Sequence, residues 1–382
     1  MNKIAKLFSV AALLSATTFS TFAQTDELSN RLYAASFLDI APDARGAAMG
    51  DVGAATSGDI YSQYWNASKY AFIESPSGVG FSYTPWLSKL VSDIGLSYLS
   101  GYYKFDDIQS ISGSFRYFSL GEINITDDAG NIINNAKPNE FAFDVAYSRQ
   151  LSSKYAMAIT LRYFHSSLDV EEASSANGFS ADISGYFRTP VYLRNGQDAE
   201  FSWGYNLSNI GTKLSYSGGD YSNFIPTNLK VGAAFAYPFN DYNKFTVGLD
   251  LNKLMVPAYP SLKEGESQED FDKRVQKYND MSPISGIFKS FGDASFSDQL
   301  KEITMGIGAE YAYNDQFFGR MGYHYENARM GNRSFFSFGA GVKLNIFQID
   351  ASYLVASQSN ALDQTFRISL ALNLGGIRGL MR

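Results

Sequence analysis

The chain has 382 residues, a formal net charge of −7 and no cysteine. The lack of cysteine excludes disulfides, thiolate metal sites and cysteine nucleophiles, and the acidic balance argues against nucleic acid as a partner. The mean hydropathy is −0.17, and no apolar run of about 20 residues occurs beyond the extreme N-terminus, which excludes helical membrane spans. High aromatic and glycine content with few charges favours a β-barrel instead.

Residues 1–23 have the features of a secretory signal peptide. Lys3 and Lys6 form a short basic start, an apolar core runs from Leu7 to Leu14, and the small residue Ala23 precedes the expected cleavage site. An N-terminal anchor helix is the alternative, but the apolar core is too short to cross a bilayer. We therefore predict export from the cytoplasm.

Residues 24–76 show no alternation of apolar and polar positions. They are rich in small residues, which allow close backbone packing and tight turns. We predict a compact plug or hatch with short helical turns, in or against one mouth of a barrel. The residues assigned to this plug are Arg45, Met49, Asp51, Trp65 and Asn66.

The clearest pattern of the chain lies in residues 302–374. Every second residue from Ile303 onward is apolar, and the residues between are small, polar or charged. Successive side chains of a strand point to opposite faces, so each run predicts a strand with one apolar and one polar face. Five such runs of about 10 residues have the length of transmembrane strands.

Nine earlier segments show the same two faces: 78–85, 94–103, 108–120, 139–150, 154–167, 178–189, 200–207, 226–238 and 244–253. The total of fourteen is even, as in single-chain bacterial barrels. We therefore predict an all-β fold, a fourteen-stranded antiparallel transmembrane β-barrel over residues 77–374. A soluble sandwich would also alternate, but the run lengths and the signal peptide favour the outer membrane.

The lengths of the connections predict the orientation of this barrel. Connections from odd to even strands include the long segments 121–138, 208–225 and 254–299, whereas several of the others have only two or three residues. Outer-membrane barrels have short periplasmic turns and longer outer loops. We expect extracellular long loops, with the N-terminus and the C-terminal tail, residues 375–382, in the periplasm.

The long extracellular loop, residues 254–299, is predicted to be partly helical. Ser267 is a plausible N-cap, and Phe271, Val275 and Tyr278 follow at helical spacing. The apolar residues of this loop either fold back over the barrel mouth or form an exposed docking surface. The candidate partner-binding residues are Phe271, Ile287, Phe288, Phe291 and Phe296.

Charged residues of both signs occupy the predicted inner face of the barrel. The main candidates are Arg116, Arg162, Asp250, Glu310, Arg320, Lys343 and Asp350. Charges on the lipid face would be costly, which supports this assignment. Mixed charges predict ion pairs across a filled interior rather than an open pore or an apolar tunnel, although such residues could also simply stabilise the wall.

We find no pattern that points to catalysis, a cofactor or a bound metal. His165 and His324 are predicted on the inner face, and no hydrolase, zinc or phosphate-loop motif occurs. An outer-membrane lipopolysaccharide deacylase would need a nucleophile beside a base, but Ser166 is adjacent to His165 in the strand and so faces the opposite side. The acidic stretch 127–131 could bind Ca²⁺, but a turn explains it better.

Several motifs resemble a known family. Residues 44–50 (Ala-Arg-Gly-Ala-Ala-Met-Gly), 53–56 (Gly-Ala-Ala-Thr) and 65–67 (Trp-Asn-Ala) are similar to the opening of FadL-like fourteen-stranded barrels. Residues 282–291 (Ser-Pro-Ile-Ser-Gly-Ile-Phe-Lys-Ser-Phe) and 339–345 (Gly-Ala-Gly-Val-Lys-Leu-Asn) extend the likeness. The chain thereby resembles the PorV (LptO) family of the type IX secretion system.

This resemblance implies a non-enzymatic role in protein secretion. The expected partners are a giant translocon barrel (Sov- or SprA-like), secreted cargo with a C-terminal signal domain, and a PorU-like sortase complex, all at an outer membrane whose lipid surrounds the barrel. The resemblance implies that such a protein receives cargo at the translocon and passes it to the attachment machinery. The alternative is a FadL-like transporter of hydrophobic small molecules.

Overall fold

The computed structural model describes residues 31–87, 93–126, 131–168, 175–193, 198–216, 222–357 and 363–376. The predicted signal peptide, residues 24–30 of the predicted plug, most of the acidic stretch 127–131 and most of the C-terminal tail lie outside these ranges.

Fourteen strands form a closed antiparallel barrel, as predicted. Each strand pairs with its neighbours in the chain, and the first strand pairs with the last, with Gly78 opposite Asn373. The barrel strands are β1 Ser77–Pro85, β2 Ile94–Lys104, β3 Gln109–Leu120, β6 Asn139–Gln150, β7 Tyr155–Ser167, β8 Ser175–Tyr192, β9 Asp198–Gly211, β10 Asn228–Asn240, β11 Asn243–Leu254, β12 Ile303–Tyr313, β13 Phe317–Tyr325, β14 Phe335–Leu344, β15 Phe347–Ala356 and β16 Phe366–Asn373.

The two faces of each strand differ as the alternation requires. On β12, Met305, Ile307 and Tyr311 are exposed on the outer surface, while Glu310 between them is buried inside. An outer surface of apolar and aromatic side chains around an inner polar one is the arrangement that a bilayer stabilises. Among the described residues, no helix is long and apolar enough to cross a membrane.

Some strand boundaries differ from the sequence prediction. Strands β8 and β9 are longer than predicted, and their pairing carries a bulge between Ala181 and Ile183. At the bulge Asn209 adopts a left-handed backbone with φ of 59°, an irregularity that alternation cannot reveal. Part of the loop 121–138 forms a separate hairpin of β4 Ile123–Thr126 and β5 Ile132–Ala136, which was not predicted.

The long loop between β11 and β12 is partly helical, as predicted. It contains α3 Gln268–Asn279, α4 Pro283–Lys289 and α5 Phe296–Lys301. Each helix has a serine N-cap, Ser267, Ser282 and Ser295, whose side chain accepts a hydrogen bond from a backbone N–H in the first turn. We call residues 255–302 the cap.

The segment before β1 lies inside the barrel. It contains α1 Ala44–Ala48 and α2 Ser62–Trp65, with short 3₁₀ helices at Ser36–Asp39 and Ala67–Phe72. Nearly all of its residues from Ala41 to Ala55 are buried, and α1 packs against β13, β14, β15 and β16. We call the described part of this segment, residues 31–76, the inner segment.

Glycines of the wall allow the inner segment to approach the strands closely. A side-chain carbon at Gly322 would lie 2.1 Å from the Met49 carbonyl carbon, and one at Gly308 would lie 2.3 Å from the Met49 carbonyl oxygen. Real side chains do not approach backbone this closely, so these positions exclude any larger residue. Gly319, on the outer face of the same strand as Gly322, has no such neighbour within 4 Å.

We predict that Gly322→Ala destabilises the protein by about 1–3 kcal/mol, because the added methyl group overpacks against the Met49 backbone. Gly319→Ala is the matched control, since it adds the same methyl group to the same strand on the open side. The free energy of unfolding in detergent or lipid vesicles measures both. Equal effects of the two substitutions would show that the inner segment is not packed against β13.

Candidate functional site: the filled lumen and the cap

Asp250 on β11 connects the inner segment to the barrel wall. One oxygen of its carboxylate accepts hydrogen bonds from the backbone N–H groups of Gly53 at 2.8 Å and Ala54 at 2.9 Å. The Asn66 amide nitrogen donates to the carbonyl oxygens of Ala54 and of Gly185 on β8, each at 2.9 Å. These two side chains therefore tie one turn of the inner segment to two separate parts of the wall.

A chain of buried ion pairs runs from the inner segment into the wall. Both oxygens of Glu310 accept hydrogen bonds from Arg45, at 3.0 Å each. The guanidinium of Arg320 lies 2.6 Å from Glu310 and 2.5 Å from Asp350, and Arg45 also pairs with Asp59 at 2.9 Å. Buried charges are tolerated when they are paired and hydrogen-bonded in this way.

A second group of charges lies on β6, β7 and β8. Arg162 pairs with Asp144 at 3.2 Å and with Asp182 at 2.8 Å. The side-chain amide of Gln63 in the inner segment donates to Asp144 at 2.7 Å. Arg116 on β3 makes a different contact and donates to two backbone carbonyl oxygens of the 3₁₀ helix Ser36–Asp39, at 3.0 and 2.8 Å.

The seven candidate lumen charges all lie on the inner face. Six of them are buried, whereas Lys343 is half-buried near the end of β14 that is joined to β15 by a short turn. Sequence reasoning did not reveal which of these charges would pair. Some partners, such as Arg45 and Glu310, are far apart in the chain, and alternation alone does not set the register that places Arg320 opposite Glu310 on the neighbouring strand.

Two buried ionisable groups inside the inner segment have shifted pKa values. Burial, with nearby Asp59 adding to it, raises the pKa of Asp43 to about 6, although its carboxylate accepts hydrogen bonds from the Gly46 backbone at 2.9 Å and the Trp65 indole at 2.5 Å. Burial lowers the pKa of Lys69 to about 8, and its ammonium donates to a backbone oxygen at 2.8 Å. Both groups hold turns of the inner segment together.

Of the other predicted plug residues, Met49 is fully buried against β12 and β13. Asp51 is half-buried, adopts a left-handed backbone with φ of 61°, and faces a cavity of about 880 Å³ above the inner segment. The sequence patterns did not reveal this cavity, because its walls come from strands that are far apart in the chain, such as β3, β10 and β16.

One face of the cap folds over the barrel mouth. Tyr278 is buried and packs edge-on against Phe224 at 5.3 Å between ring centroids, and Ile287 is buried as well. Arg31 forms a salt bridge with Asp293 at 3.1 Å. The cap is therefore anchored to the inner segment and the wall through both apolar and charged contacts.

The other face of the cap is apolar and exposed. Phe288 is 73% exposed, Phe296 is 80% exposed and Phe291 is 50% exposed. Phe271 is half-buried beside the Arg274 guanidinium. The loop therefore has one face folded over the barrel mouth and one exposed apolar face, and docking at the exposed face stays a prediction.

The two histidines lie on different faces of the barrel. His324 is buried inside, where its ring stacks on Phe335 at 4.9 Å. The prediction that His165 faces the lumen is wrong: it lies on the outer face beside Asn177, with 2.8 Å between Nδ1 and the amide oxygen. Ser166 faces inward and donates to Glu140 at 2.6 Å, so Ser166 and His165 do not meet. Within the described ranges, no group of three or more acidic or histidine side chains could hold a metal ion.

Comparisons with known proteins agree with this architecture. A family model described as "Type IX secretion system protein PorV" matches residues 24–261. No curated protein matches the chain significantly.

Solved structures with the same fold include the Pseudomonas putida toluene transporter TodX, with a TM-score of 0.53 and 11% identity over 87% of this chain and 98% of that one. Another TodX structure has a TM-score of 0.50, 12% identity, and coverage of 86% and 96%. A Pseudomonas aeruginosa FadL homologue has a TM-score of 0.44, 10% identity, and coverage of 87% and 98%. At this identity, the similarity to TodX concerns the fold alone.

We predict that Glu310→Gln destabilises the barrel by about 3–5 kcal/mol, because it leaves the buried Arg45 and Arg320 without their shared carboxylate. The control is Lys244→Met, which removes an exposed pair with Asp315 and should cost at most about 1 kcal/mol. Limited proteolysis of residues 31–76 and the free energy of unfolding measure the two effects. Wild-type values for Glu310→Gln would contradict the assigned role of the ion-pair chain.

Proposed function

Since the chain belongs to the PorV family of the type IX secretion system and is a barrel of the outer membrane, we propose that it binds secreted cargo at the translocon and passes it to the surface attachment complex. The partners of this proposal are a Sov- or SprA-like translocon barrel, cargo with a C-terminal signal domain, and a PorU-like sortase complex. The role is one of binding and transfer, without catalysis. The exposed apolar face of the cap is the observation that carries the proposal.

The filled lumen supports a role for the outer surfaces of the protein rather than for a pore. The inner segment is attached to β8, β11 and β12 by hydrogen bonds and ion pairs. Opening a passage at this level would expose or unpair several buried charges, which is costly. We therefore treat the inner segment, residues 31–76, as a fixed plug, and the barrel as a membrane anchor for its loops.

The cap has the properties of a docking surface. Phe288 and Phe296 are large aromatic side chains held on short, capped helices, and aromatic anchors dominate the energetics of many interfaces. The salt bridge of Lys253 with Glu302 at 2.6 Å fixes the end of the cap to β11. A surface that is already ordered loses less entropy on binding.

The two ends of the barrel differ, and this difference supports one orientation of the barrel in the membrane. The cap and the β4–β5 hairpin lie at one end, and the short turns lie at the other, together with the start of β1 and the end of β16. Outer-membrane barrels carry their longer loops outside. We propose that the cap is extracellular and that both chain termini are periplasmic.

Transport of hydrophobic small molecules is the second candidate function. The cavity of about 880 Å³ favours it, since it could hold a small ligand. Charged side chains such as Lys230, Glu326 and Arg367 line this cavity, however, and an apolar solute would have to displace their hydration. Cargo transfer therefore accounts for more features of the structure than transport of small molecules does.

We predict that the double substitution Phe288→Ala and Phe296→Ala lowers recovery of the translocon or the cargo at least about tenfold, because two aromatic anchors are removed. Recovery with the affinity-tagged protein, extracted from outer membranes in mild detergent, is the measurement. Phe105→Ala is the matched control, since this exposed phenylalanine lies in a short turn at the opposite end.

The barrel of each variant is checked by its heat-dependent mobility in gels. Undiminished recovery of both partners by a folded double variant would rule out the cap face as the docking surface. Recovery of bound small apolar molecules without either partner would instead favour the transporter.

A further inference from the structure

The cavity between the inner segment and the cap end of the barrel is a partly open chamber with a charged lining. Its floor includes Asp51 and Trp65, and its walls include His324 and Arg367. Five basic and four acidic side chains line it. The chamber has no role in the docking proposed for the outer face of the cap.

Arg367 is the most unusual residue of this chamber. It lies on the inner face of β16, is only 3% exposed, and lines the cavity. Its Nε is buried without a hydrogen-bond partner, and within the described parts of the chain its guanidinium forms no ion pair. A buried guanidinium has five N–H donors to satisfy, and burial of an unpaired charge is costly. An anion in the chamber would remove this cost.

Lys230 faces the chamber from the opposite wall. It lies on β10, which is separated from β16 by five strands along one side of the barrel. It is 9% exposed, and its ammonium lies over the Trp65 ring at 4.5 Å from the centroid. No carboxylate of the described residues lies within ion-pair distance of it. Two buried cations on well-separated strands thus face the same cavity.

The chamber also contains buried acceptors that lack donors. One carboxylate oxygen of Asp51 and the side-chain oxygen of Asn252 have no hydrogen-bond partner among the described residues. Asp51 and Arg367 both line the cavity, yet they do not form a salt bridge with each other. The lining therefore offers both hydrogen-bond donors and hydrogen-bond acceptors to a bound ligand. Contacts among the described residues leave these groups unsatisfied.

We propose that this chamber binds a carboxylate-bearing group that also carries hydrogen-bond donors. The five basic and four acidic side chains leave one positive charge in excess, which suits a monoanion better than a dianionic phosphate. The planar fork of Arg367 matches a carboxylate through two parallel hydrogen bonds. The hydrogen-bond donors of the ligand bind the side-chain oxygens of Asp51 and Asn252. A free small carboxylic acid and the free C-terminus of a peptide both carry such a carboxylate.

Fluorine NMR on the mature, full-length protein in detergent tests the proposal. Fluoroacetate is the carboxylate probe, and fluoroacetamide is its neutral counterpart. We expect the resonance of fluoroacetate to broaden on addition of protein and that of fluoroacetamide to stay sharp. Arg367→Gln should weaken fluoroacetate binding at least about tenfold, because a charge-assisted hydrogen-bond pair is lost.

The matched control is Arg188→Gln. Arg188 is also a cation on the inner face, but it lies at the short-turn end, over the Phe72 ring and away from the chamber. This variant should bind fluoroacetate like the wild type. Lys230→Gln provides a second chamber variant with an expected loss of affinity, and it decides the matter if Arg367→Gln fails to form a heat-modifiable barrel.

Competition identifies the source of the carboxylate. Displacement of fluoroacetate by a short peptide with a free C-terminus, but not by the amidated peptide, indicates a chain terminus. Displacement by acetate alone indicates a free small acid. The proposal is overturned if fluoroacetamide binds equally, if phosphate competes better than acetate, or if folded chamber variants bind like the wild type. Neither translocon nor cargo is present, so these results are independent of the docking proposal.

Discussion

The need to pair charges inside a membrane barrel constrains the whole structure. Glu310 shows this most clearly, because a single buried carboxylate on β12 is shared by Arg45 of the inner segment and Arg320 of β13. Each arginine has one further carboxylate partner, Asp59 or Asp350, but loss of Glu310 would leave both buried guanidinium groups with incomplete pairing. The wall and the inner segment are therefore mutually dependent, and the lumen at this depth is part of the folded core.

This constraint explains why a barrel with the same fold as a toluene transporter can serve another purpose. Fold similarity says little about function, which depends on the residues placed on the fold. In this chain the wall is a closed barrel, while the lumen beside the inner segment is filled with ion pairs and small residues. The chain also has a helical cap with exposed phenylalanines and a charged chamber beneath it.

Different parts of the structure differed in how far the sequence could predict them. The alternation in segments such as 302–374 identified the strands. Within one strand, Met305 faces the outer surface and Glu310 faces the lumen, so the two positions require residues of different polarity. His165 was assigned to the wrong face, because a polar residue near a strand end can lie on the outer surface beside a polar neighbour such as Asn177. The bulge at Asn209 depends on its hydrogen bond with Asp182, a contact that no local pattern encodes.

By itself, the sequence determined the number of barrel strands, their two faces, the first helix of the cap and the family resemblance, since each of these is written in short-range patterns. Only the tertiary structure decided which lumen charges pair, which cap residues are buried, and that Arg367 and Lys230 face one chamber. Those features depend on the register between strands, on the inner segment and on the closure of the barrel, and short-range sequence patterns carry no information about them.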